Sequence, residues 1–473
     1  MKPIFLRKFF IHTKFNAVNH LTAFVALCLV FVSYASAQNA AVPPSAQQIA
    51  AKVDEYMNAA VRVDGFSGSI LVARDGQLVV TKGYGMANFE LDVPNSPQTV
   101  FRLGSITKQF TSMGIMMLQE RGKLNVNDPV CKYLTDCPAA WQPITVKNLL
   151  THTAGVPNYT SFPDFAKTAV LPTTNAAMIA QFRDKPLEFA VGEKYAYSNS
   201  GYYLLGSIIE RASGKTYADF LQENIFTPLG MKQTGYDSPL RIIKNRAAGY
   251  ARQGGKIINA SYMDMTIPYA AGAMYSTTGD LLLWDQALYT EKLVSRKSLD
   301  ETFTPFKSNY GYGWSIGKRF DRQVIAHGGG IYGFATEIAR FPADKVTVVV
   351  LSNVQGAPAG RIGNDLAAIV FGAAYEIPKE RKEIAVDQKI LEKYVGQYEL
   401  AAPKIVIGFT LENGKLFGQV GGQSKFALSA ESETVFFSKD VNLQITFTKD
   451  AQGQTTGLTF NQGGSVITAQ KTK

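Results

Sequence analysis

The chain has 473 residues, of which 46% are hydrophobic and 18% are charged, so it can bury a large core and is too long for one ordinary domain. Its formal net charge of +10 includes no run of Lys and Arg, and it gives no reason to expect a nucleic-acid partner. These values indicate a globular protein built from several units.

The first 37 residues have the composition of a leader. They carry four basic residues and no acid, then the apolar run Leu21–Val32, then Ala35-Ser36-Ala37. We expect a signal peptide, residues 1–37, that is cleaved after Ala37. The alternative is an uncleaved membrane anchor, but the run is shorter than the ~20 residues that a spanning helix needs. Without the leader the chain has four basic residues fewer and the same acids, which leaves a net charge near +6.

After the leader, the hydrophobic pattern predicts a helix and then a β-hairpin. Apolar residues recur every four positions between Ser45 and Val61, as in an amphipathic helix. Two predicted strands, 67–73 and 77–84, flank an Arg-Asp-Gly turn.

The long middle of the chain, residues 105–289, alternates predicted helices with loops rich in Gly, Pro, Thr and Asn. Helices are predicted at 105–121 and 200–212. Further along come four predicted strands and a helix: 311–316, 323–326, 335–341, 346–352 and 361–374. Strands at both ends of a helical middle imply an α+β fold in which a helical lobe is inserted and a cleft lies between the lobes.

The hydrophobic pattern of the sequence changes again after a charged linker. Short alternating strands are predicted at 405–411, 415–420, 443–448, 458–460 and 466–470, joined by turns that contain glycine. This pattern indicates a separate all-β unit, a small sandwich or barrel. We therefore predict a first domain at 45–376, a linker at 377–388 and a β-domain at 389–473.

Ser105 and Lys108 could form a nucleophile and its proton acceptor. In a helix, residues three apart share one face, and Ser105 would lie at the positive end of the helix dipole. A serine hydroxyl needs a group that accepts or relays its proton, and a desolvated lysine can do so. An isolated match is more often an N-cap serine beside a solvated lysine. The same spacing at Ser315 and Lys318 falls in a predicted strand, where the two side chains point to opposite faces.

Tyr197-Ser198-Asn199 precedes the predicted helix at 200–212. In extended backbone, Tyr197 and Asn199 project to the same side. A tyrosine beside a lysine ammonium can hold a lowered pKa and shuttle protons, and an asparagine amide can bond both the lysine and a substrate carbonyl. Taken alone, Tyr197 would more often be a buried core tyrosine.

His327-Gly328-Gly329-Gly330 follows the short predicted strand 323–326. Consecutive glycines let a substrate backbone approach closely, and the amides of Gly330 and Ser105 would form an oxyanion hole. His327 would add a polar group at the edge of the cleft. The alternative for this residue is a structural histidine beside a Gly-rich turn.

The ordered set of motifs is far more specific than any one of them. Ser-x-x-Lys, then Tyr-x-Asn 92 residues on, then His-Gly-Gly another 130 on, resembles the serine β-lactamase and penicillin-binding-protein superfamily. The tyrosine in the second motif is typical of its class C β-lactamase, D-alanyl-D-alanine carboxypeptidase and esterase branch. Longer stretches are similar to this family: FRLGSITKQFTSMGIMMLQERGKLNVNDPV, LLTHTAGVPNY, YAYSNSGYYLLGSIIERASGKTY, AAGAMYSTTGDLLLWDQAL and HGGGIYGF. The resemblance covers roughly residues 45–374, and the β-domain resembles the lipocalin-like domain often appended to such proteins.

The resemblance implies a β-lactamase/transpeptidase-like fold, an antiparallel sheet flanked by helices with the inserted helical lobe, and catalysis through an acyl-enzyme without a cofactor. By this resemblance Ser105 is the nucleophile, while Lys108 and Tyr197 share the general-base and general-acid work. Asn199 would orient Lys108 and the substrate amide, and the Ser105 and Gly330 amides would hold the oxyanion.

The chain departs from the family pattern at His327 and Gly328, where the family usually has Lys and Thr. A fixed cation that would bind a substrate carboxylate becomes a residue that is mostly neutral at pH 7. The change disfavours efficient β-lactam hydrolysis and favours esters or peptides. We therefore expect an exported serine hydrolase, periplasmic or secreted, that acts on D-amino-acid or cell-wall peptides or on esters. The alternatives are a true β-lactamase and a non-catalytic protein that binds peptidoglycan or a small ligand.

Cys131 and Cys137 are the cysteines that remain after the leader. An oxidising compartment would allow a disulfide between them, and two free buried thiols are the alternative. No metal site is predicted, because the histidines that follow the leader, His152 and His327, lie outside any close set of ligand residues. His152 is predicted to be a scaffold residue beneath the cleft. The expected partner is a small-molecule or peptide substrate, with no nucleic acid and no membrane anchor after cleavage; the oligomeric state is not indicated.

Overall fold

The structure is a computed structural model and describes residues 44–400, 405–421, 425–438, 443–462 and 465–472. The expected signal peptide, residues 1–37, lies outside these ranges. Among the helices within them, none combines the length and the apolar composition needed to cross a bilayer.

Most of the helices lie between the first and the last strands of the main sheet. In chain order the α-helices are α1 (Ala46–Asp64), α2 (Thr107–Glu120), α3 (Val146–Leu150), α4 (Phe165–Thr168), α5 (Asn175–Arg183), α6 (Asn199–Ser213), α7 (Tyr217–Leu221), α8 (Thr227–Leu229), α9 (Tyr269–Gly272), α10 (Thr278–Ala287), α11 (Arg296–Thr302), α12 (Ala359–Phe371) and α13 (Gln388–Glu392). A short 3₁₀ turn, Gly104–Ile106, runs directly into α2.

The strands fall at the two ends of the chain and in small hairpins between them. They are β1 (Gly68–Arg74), β2 (Gln77–Tyr84), β3 (Met86–Asn88), β4 (Val93–Pro94), β5 (Phe101–Arg102), β6 (Gly235–Tyr236), β7 (Tyr250–Gln253), β8 (Lys256–Asn259), β9 (Met274–Ser276), β10 (Ser315–Arg319), β11 (Arg322–Ile331), β12 (Phe334–Phe341), β13 (Val346–Ser352), β14 (Gly396–Leu400), β15 (Val406–Glu412), β16 (Lys415–Val420), β17 (Phe426–Ala430), β18 (Val435–Phe437), β19 (Leu443–Lys449), β20 (Thr455–Gln462) and β21 (Ser465–Lys471).

The main sheet joins strands that are far apart in the chain. Its order is β10-β11-β12-β13-β1-β2, and every neighbouring pair is antiparallel. β13 is buried along its whole length, and β1 is buried up to its last residue. Their apolar runs fit this position, because α1 and α12 cover one face of the sheet and the helical lobe covers the other. The arrangement confirms the predicted α+β fold with an inserted helical lobe.

Local sequence signals define both ends of helix α1. Ser45 accepts a hydrogen bond from the backbone of Gln48 while the Gln48 side chain accepts one from the backbone of Ser45, which forms a capping box. Gly65 ends the helix in the left-handed conformation (φ 54°). The predicted helix therefore continues three residues beyond Val61.

Two of the predicted strands differ from the structure. The strand predicted at 311–316 is β10, Ser315–Arg319, and the strand predicted at 323–326 is β11, which continues to Ile331. The strand that was predicted to end at Ala326 therefore continues for five more residues. β12 pairs with β11 as far as Ile331, and these ladder bonds outweigh the weak strand preference of the three glycines.

The extension of β11 leaves a strand edge open beside the helical lobe. β10 pairs with β11 only up to Ala326. From His327 onward, the strands of the described ranges hydrogen-bond β11 on its β12 side alone. The other edge of this segment therefore faces the space between the sheet and the helical lobe.

The C-terminal strands close into an eight-stranded barrel in which each strand pairs with the next. The all-β prediction is confirmed, and the barrel fits a lipocalin-like architecture. Strands β14, β17 and β18 were absent from the prediction, because they are short and alternate only weakly. Phe447 lies at the centre of an aromatic cluster, 4.1 Å from the Tyr394 ring and 5.3 Å from the Phe409 ring.

Cys131 and Cys137 form a disulfide that closes a six-residue separation. Both side chains pack against the core of the helical lobe. Replacing the pair by serine is expected to lower the free energy of unfolding by about 2 kcal/mol, because the cross-link restricts the unfolded chain. Urea unfolding of the variant and of the wild type, each with and without reductant, checks this. A reductant effect that persists in the variant would contradict it.

Candidate active site

Ser105 lies where the helical lobe meets the open edge of β11. It occupies the 3₁₀ turn Gly104–Ile106, so the regular helix begins two residues later than predicted. Gly104 has a φ of 55°, and a Cβ on it would lie 2.9 Å from the backbone nitrogen of Gly330. The absence of a side chain at Gly104 therefore lets the turn carrying Ser105 approach the glycines of β11.

Lys108 is completely buried and has three polar neighbours. Its Nζ atom lies 3.1 Å from Ser105 Oγ, 2.9 Å from Asn199 Oδ1 and 2.8 Å from the carbonyl oxygen of Ala271. Burial lowers the pKa of the Lys108 ammonium well below its usual range. None of the three neighbours is an anion, so nothing in direct contact offsets that effect with a negative charge.

Tyr197 contacts both Ser105 and Lys108. Its hydroxyl donates a hydrogen bond of 2.8 Å to Ser105 Oγ, and its ring lies 4.8 Å from Lys108 Nζ. The sequence analysis expected the lysine to lower the pKa of this phenol. That expectation is wrong, because burial raises the pKa of Tyr197 by more than the hydrogen bond to Ser105 lowers it. The phenol therefore keeps its proton and is a hydrogen-bond donor at neutral pH.

Asn199 is the first residue of α6, and its amide bridges two parts of the lobe. Its Oδ1 faces Lys108, while its Nδ2 donates to Thr160 Oγ1 at 3.2 Å. The backbone amide of Asn199 is held by Asn158 Oδ1 at 3.1 Å. These contacts fix which end of the amide faces the lysine.

His152 lies beside Tyr197 in a group of tilted aromatic rings, the His152 ring cluster. Its ring centroid is 4.3 Å from that of Tyr197, 5.0 Å from that of Tyr202 and 4.8 Å from that of Tyr310. Its Nδ1 accepts the backbone N–H of Ser198 at 3.1 Å. Burial lowers the pKa of His152 well below its usual range, so the ring is neutral. The neutral ring packs against Tyr197, a contact that fits the predicted scaffold role.

His327 lies on β11 close to the other two motifs. Its ring centroid is 6.3 Å from that of Tyr197. Burial and the Lys108 cation lower the pKa of His327 to about 4. The residue that replaces the family's lysine is therefore neutral at physiological pH.

Gly329 and Gly330 occupy the stretch of β11 that passes the turn carrying Ser105. A Cβ on Gly329 would meet the carbonyl oxygen of Leu103 at 1.9 Å, whereas a Cβ on Gly330 would meet nothing within 4 Å. Glycine is thus required at position 329 because β11 passes close to Leu103. The side-chain position of Gly330, by contrast, faces open space. The Gly330 backbone nitrogen lies next to the turn that carries Ser105, a position that suits an oxyanion hole.

Two contributors to the site were missed by the sequence analysis. The Ala271 carbonyl uses a backbone atom and therefore leaves no mark in its side chain; only the similarity of the surrounding stretch to the family pointed to this segment. Tyr310, whose hydroxyl lies 2.8 Å from His327 Nε2, lies in a loop without a recognised motif. Within the described ranges, no group of three or more His, Cys, Asp and Glu side chains could hold a metal ion.

The buried His327 makes the folded protein sensitive to acid. Its pKa is about 4 in the folded chain and ~6.5 in an exposed histidine, so the unfolded chain binds the proton first. As the pH falls from 6.5 to 4, His327 is expected to lower the free energy of unfolding by about 3 kcal/mol. Urea unfolding at several pH values checks this. His327→Gln should flatten that part of the profile, and identical profiles would contradict the prediction.

Comparison with known proteins places this geometry in a family. Residues 49–371 match the Beta-lactamase family, and residues 380–471 match DUF3471, a domain of unknown function. Penicillin-binding protein 4* of Bacillus subtilis (strain 168) is 31% identical over 416 residues, which are 81% of this chain and 90% of that protein. Teichoic acid D-alanine hydrolase of Staphylococcus aureus is 29% identical over 313 residues, 64% of this chain and 74% of that protein.

A solved structure agrees with these matches. The D-stereospecific amidohydrolase from Streptomyces sp. superimposes with a TM-score of 0.59 at 25% identity, over 69% of this chain and 99% of that one. The chain belongs to the Beta-lactamase family and is a serine hydrolase related to the penicillin-binding proteins.

Proposed function

We propose that the protein hydrolyses D-amino-acid peptides, amides or esters, including those of the cell wall, through an acyl-enzyme on Ser105. The observation that carries this proposal is the contact of Ser105 Oγ with both Lys108 Nζ and the Tyr197 hydroxyl, at 3.1 and 2.8 Å. The relatives named as a teichoic acid D-alanine hydrolase and a D-stereospecific amidohydrolase support D-configured substrates.

The hydrogen bonds around Lys108 suit a neutral amine that acts as the base. Asn199 Oδ1 and the Ala271 carbonyl can only accept, so they take the two N–H groups of an –NH₂. The remaining lone pair then faces the Ser105 hydroxyl, and Tyr197 donates to the same oxygen. The resulting order is Tyr197 to Ser105 to Lys108, in which Lys108 is ready to receive the serine proton.

Acylation then follows from these positions. Ser105 Oγ bonds to the substrate carbonyl carbon as its proton passes to Lys108, and the N–H groups of Ser105 and Gly330 stabilise the oxyanion. The bond to the leaving group breaks as Tyr197 delivers a proton to the departing nitrogen or oxygen, and Lys108 returns a proton to Tyr197. Water attacks the acyl carbon next as its proton passes to the same pair; the bond to Ser105 Oγ then breaks, and the pair returns the proton to Oγ.

Trapping the acyl-enzyme tests this proposal. The protein is mixed with a p-nitrophenyl ester of an N-acyl-D-alanine, quenched in acid, and its intact mass and peptide map are measured. The expected adduct has the mass of the acyl group and lies on the peptide that contains Ser105. The Ser105→Ala protein should carry none, and an adduct on another residue would refute the assignment.

Benzylpenicillin under the same conditions separates the β-lactamase alternative. An adduct on Ser105 that persists, without release of hydrolysed drug, is expected from a penicillin-binding protein. Rapid release of hydrolysed penicillin would favour a β-lactamase.

We also propose that the protein is exported to the periplasm or the medium. The charged, apolar and small-residue segments of residues 1–37 and the disulfide between Cys131 and Cys137 support this. Mass spectrometry of protein recovered from outside the cytoplasm should find a chain that begins at Gln38. A full-length chain confined to the cytoplasm would contradict it.

A further inference from the structure

Both ring nitrogens of His327 are occupied by protein atoms. Nδ1 lies 2.6 Å from the carbonyl oxygen of Gly328, and Nε2 lies 2.8 Å from the Tyr310 hydroxyl. A carbonyl oxygen can only accept a hydrogen bond, so Nδ1 must carry the hydrogen. In a neutral imidazole Nε2 is then the acceptor, and Tyr310 donates to it.

The surroundings keep this arrangement in one state. His327 is 7% exposed and Tyr310 is 2% exposed, so neither ring can exchange its partner for water without opening the site. Burial opposes protonation of His327, and burial raises the pKa of Tyr310 well above its usual range. Tyr202, another phenol of the His152 ring cluster, donates a hydrogen bond of 2.9 Å to the Leu150 carbonyl oxygen.

In this state neither His327 nor Lys108 offers a charged donor to a carboxylate beside the scissile bond. The single N–H of His327 is directed to Gly328, and the Lys108 nitrogen contacts Ser105, Asn199 and Ala271. A carboxylate that entered this position would lose its hydration without gaining an ionic partner, which is costly. An uncharged amide or ester at the same place avoids that cost.

We propose that Tyr310 is a positioning residue that holds His327 as a neutral ring with its hydrogen on Nδ1, and that the site therefore selects D-aminoacyl amides and esters whose leaving group has no free carboxylate. This inference rests on the proposed function, because it concerns the leaving-group side of the same cleft. It separates this protein from a carboxypeptidase, which must accept a C-terminal carboxylate.

A matched pair of substrates tests the selectivity. N-acetyl-D-alanyl-D-alanine and its C-terminal amide differ only in the charged group, and kcat/KM is measured for both at pH 7. We expect the amide to be favoured at least 10-fold. Equal values, a preference for the acid, or no turnover of the amide would overturn the inference. Ser105→Ala distinguishes the two proposals: if it leaves turnover unchanged, the proposed function fails, whereas a preference for the acid that is lost in Ser105→Ala overturns the selectivity alone.

The protonation state of His327 is measured independently of turnover. The full chain has four histidines, and ¹⁵N-labelled rings can be assigned to His327 by their loss in His327→Gln. The wild-type spectrum should show a neutral ring protonated on Nδ1. An Nε2-protonated ring or an imidazolium at pH 7 would overturn the inference.

Tyr310→Phe removes the hydroxyl and keeps the ring. We expect His327 to lose its single Nδ1-protonated state and the amide-to-acid ratio to fall several-fold. Tyr195→Phe is the matched control, because the Tyr195 ring also belongs to the His152 ring cluster and lies 5.7 Å from that of Tyr310. This variant should keep both readouts at wild-type values. Loss of activity in Tyr310→Phe with an unchanged tautomer and an unchanged ratio would mean that Tyr310 has only a structural role.

Discussion

Replacing Ser105 by alanine and replacing Lys108 by methionine are expected to reduce turnover to nearly the same extent. In the proposed mechanism, Ser105→Ala deletes the atom that bonds to the acyl group, and Lys108→Met removes the nitrogen that receives its proton. We expect kcat for ester hydrolysis to fall by ~10⁴-fold or more in each variant. Because both residues act on one proton transfer, the double variant should be no slower than the slower single variant.

The chain supplies its own control for this prediction. Ser315 and Lys318 have the same spacing, but they lie on β10 and both are exposed. Ser315→Ala and Lys318→Met should therefore leave kcat unchanged. Lys108→Met replaces a fully buried lysine by an apolar side chain of similar length, and urea unfolding of this variant shows whether its loss of kcat is a loss of fold. Multiplicative losses in the double variant would contradict the assignment of the two residues to one step.

The four residues in direct contact at the site could be predicted because their geometry is local or follows from the family resemblance. Ser105 and Lys108 face each other since one helical turn separates them, whichever fold surrounds the helix. Tyr197 and Asn199 required more than spacing, because nothing local brings residues 92 positions away to the same cleft. Their place was predicted from the ordered set of motifs.

Features that depend on tertiary packing could not be predicted in the same way. The strand β11 runs through three glycines because β12 lies beside it, and a single segment of sequence contains no information about its neighbour. The pKa of Tyr197 was predicted in the wrong direction for a related reason. The nearby lysine can be read from the motif, but the complete burial of the phenol, which has the larger effect, cannot.

The second large effect is expected from adding a side chain at Gly329. A Cβ at this position would lie 1.9 Å from the carbonyl oxygen of Leu103 and 2.2 Å from Thr336 Oγ1. The Thr336 hydroxyl donates to that same carbonyl at 2.8 Å, so a methyl group would break the contact as well as collide with it. Both atoms are held by backbone or by a buried strand, and neither can move away cheaply.

Gly329→Ala is therefore expected to push Leu103 away from β11 and to carry Ser105, two residues later, out of position. A shift of about 1 Å at the nucleophile lowers kcat about 100-fold, and overpacking of this kind lowers the free energy of unfolding by about 3 kcal/mol. Ester hydrolysis and urea unfolding measure the two effects. Gly317→Ala is the matched control on the adjacent strand, since a Cβ there meets nothing within 4 Å. Equal behaviour of the two variants would show that the approach of β11 to Leu103 does not position Ser105.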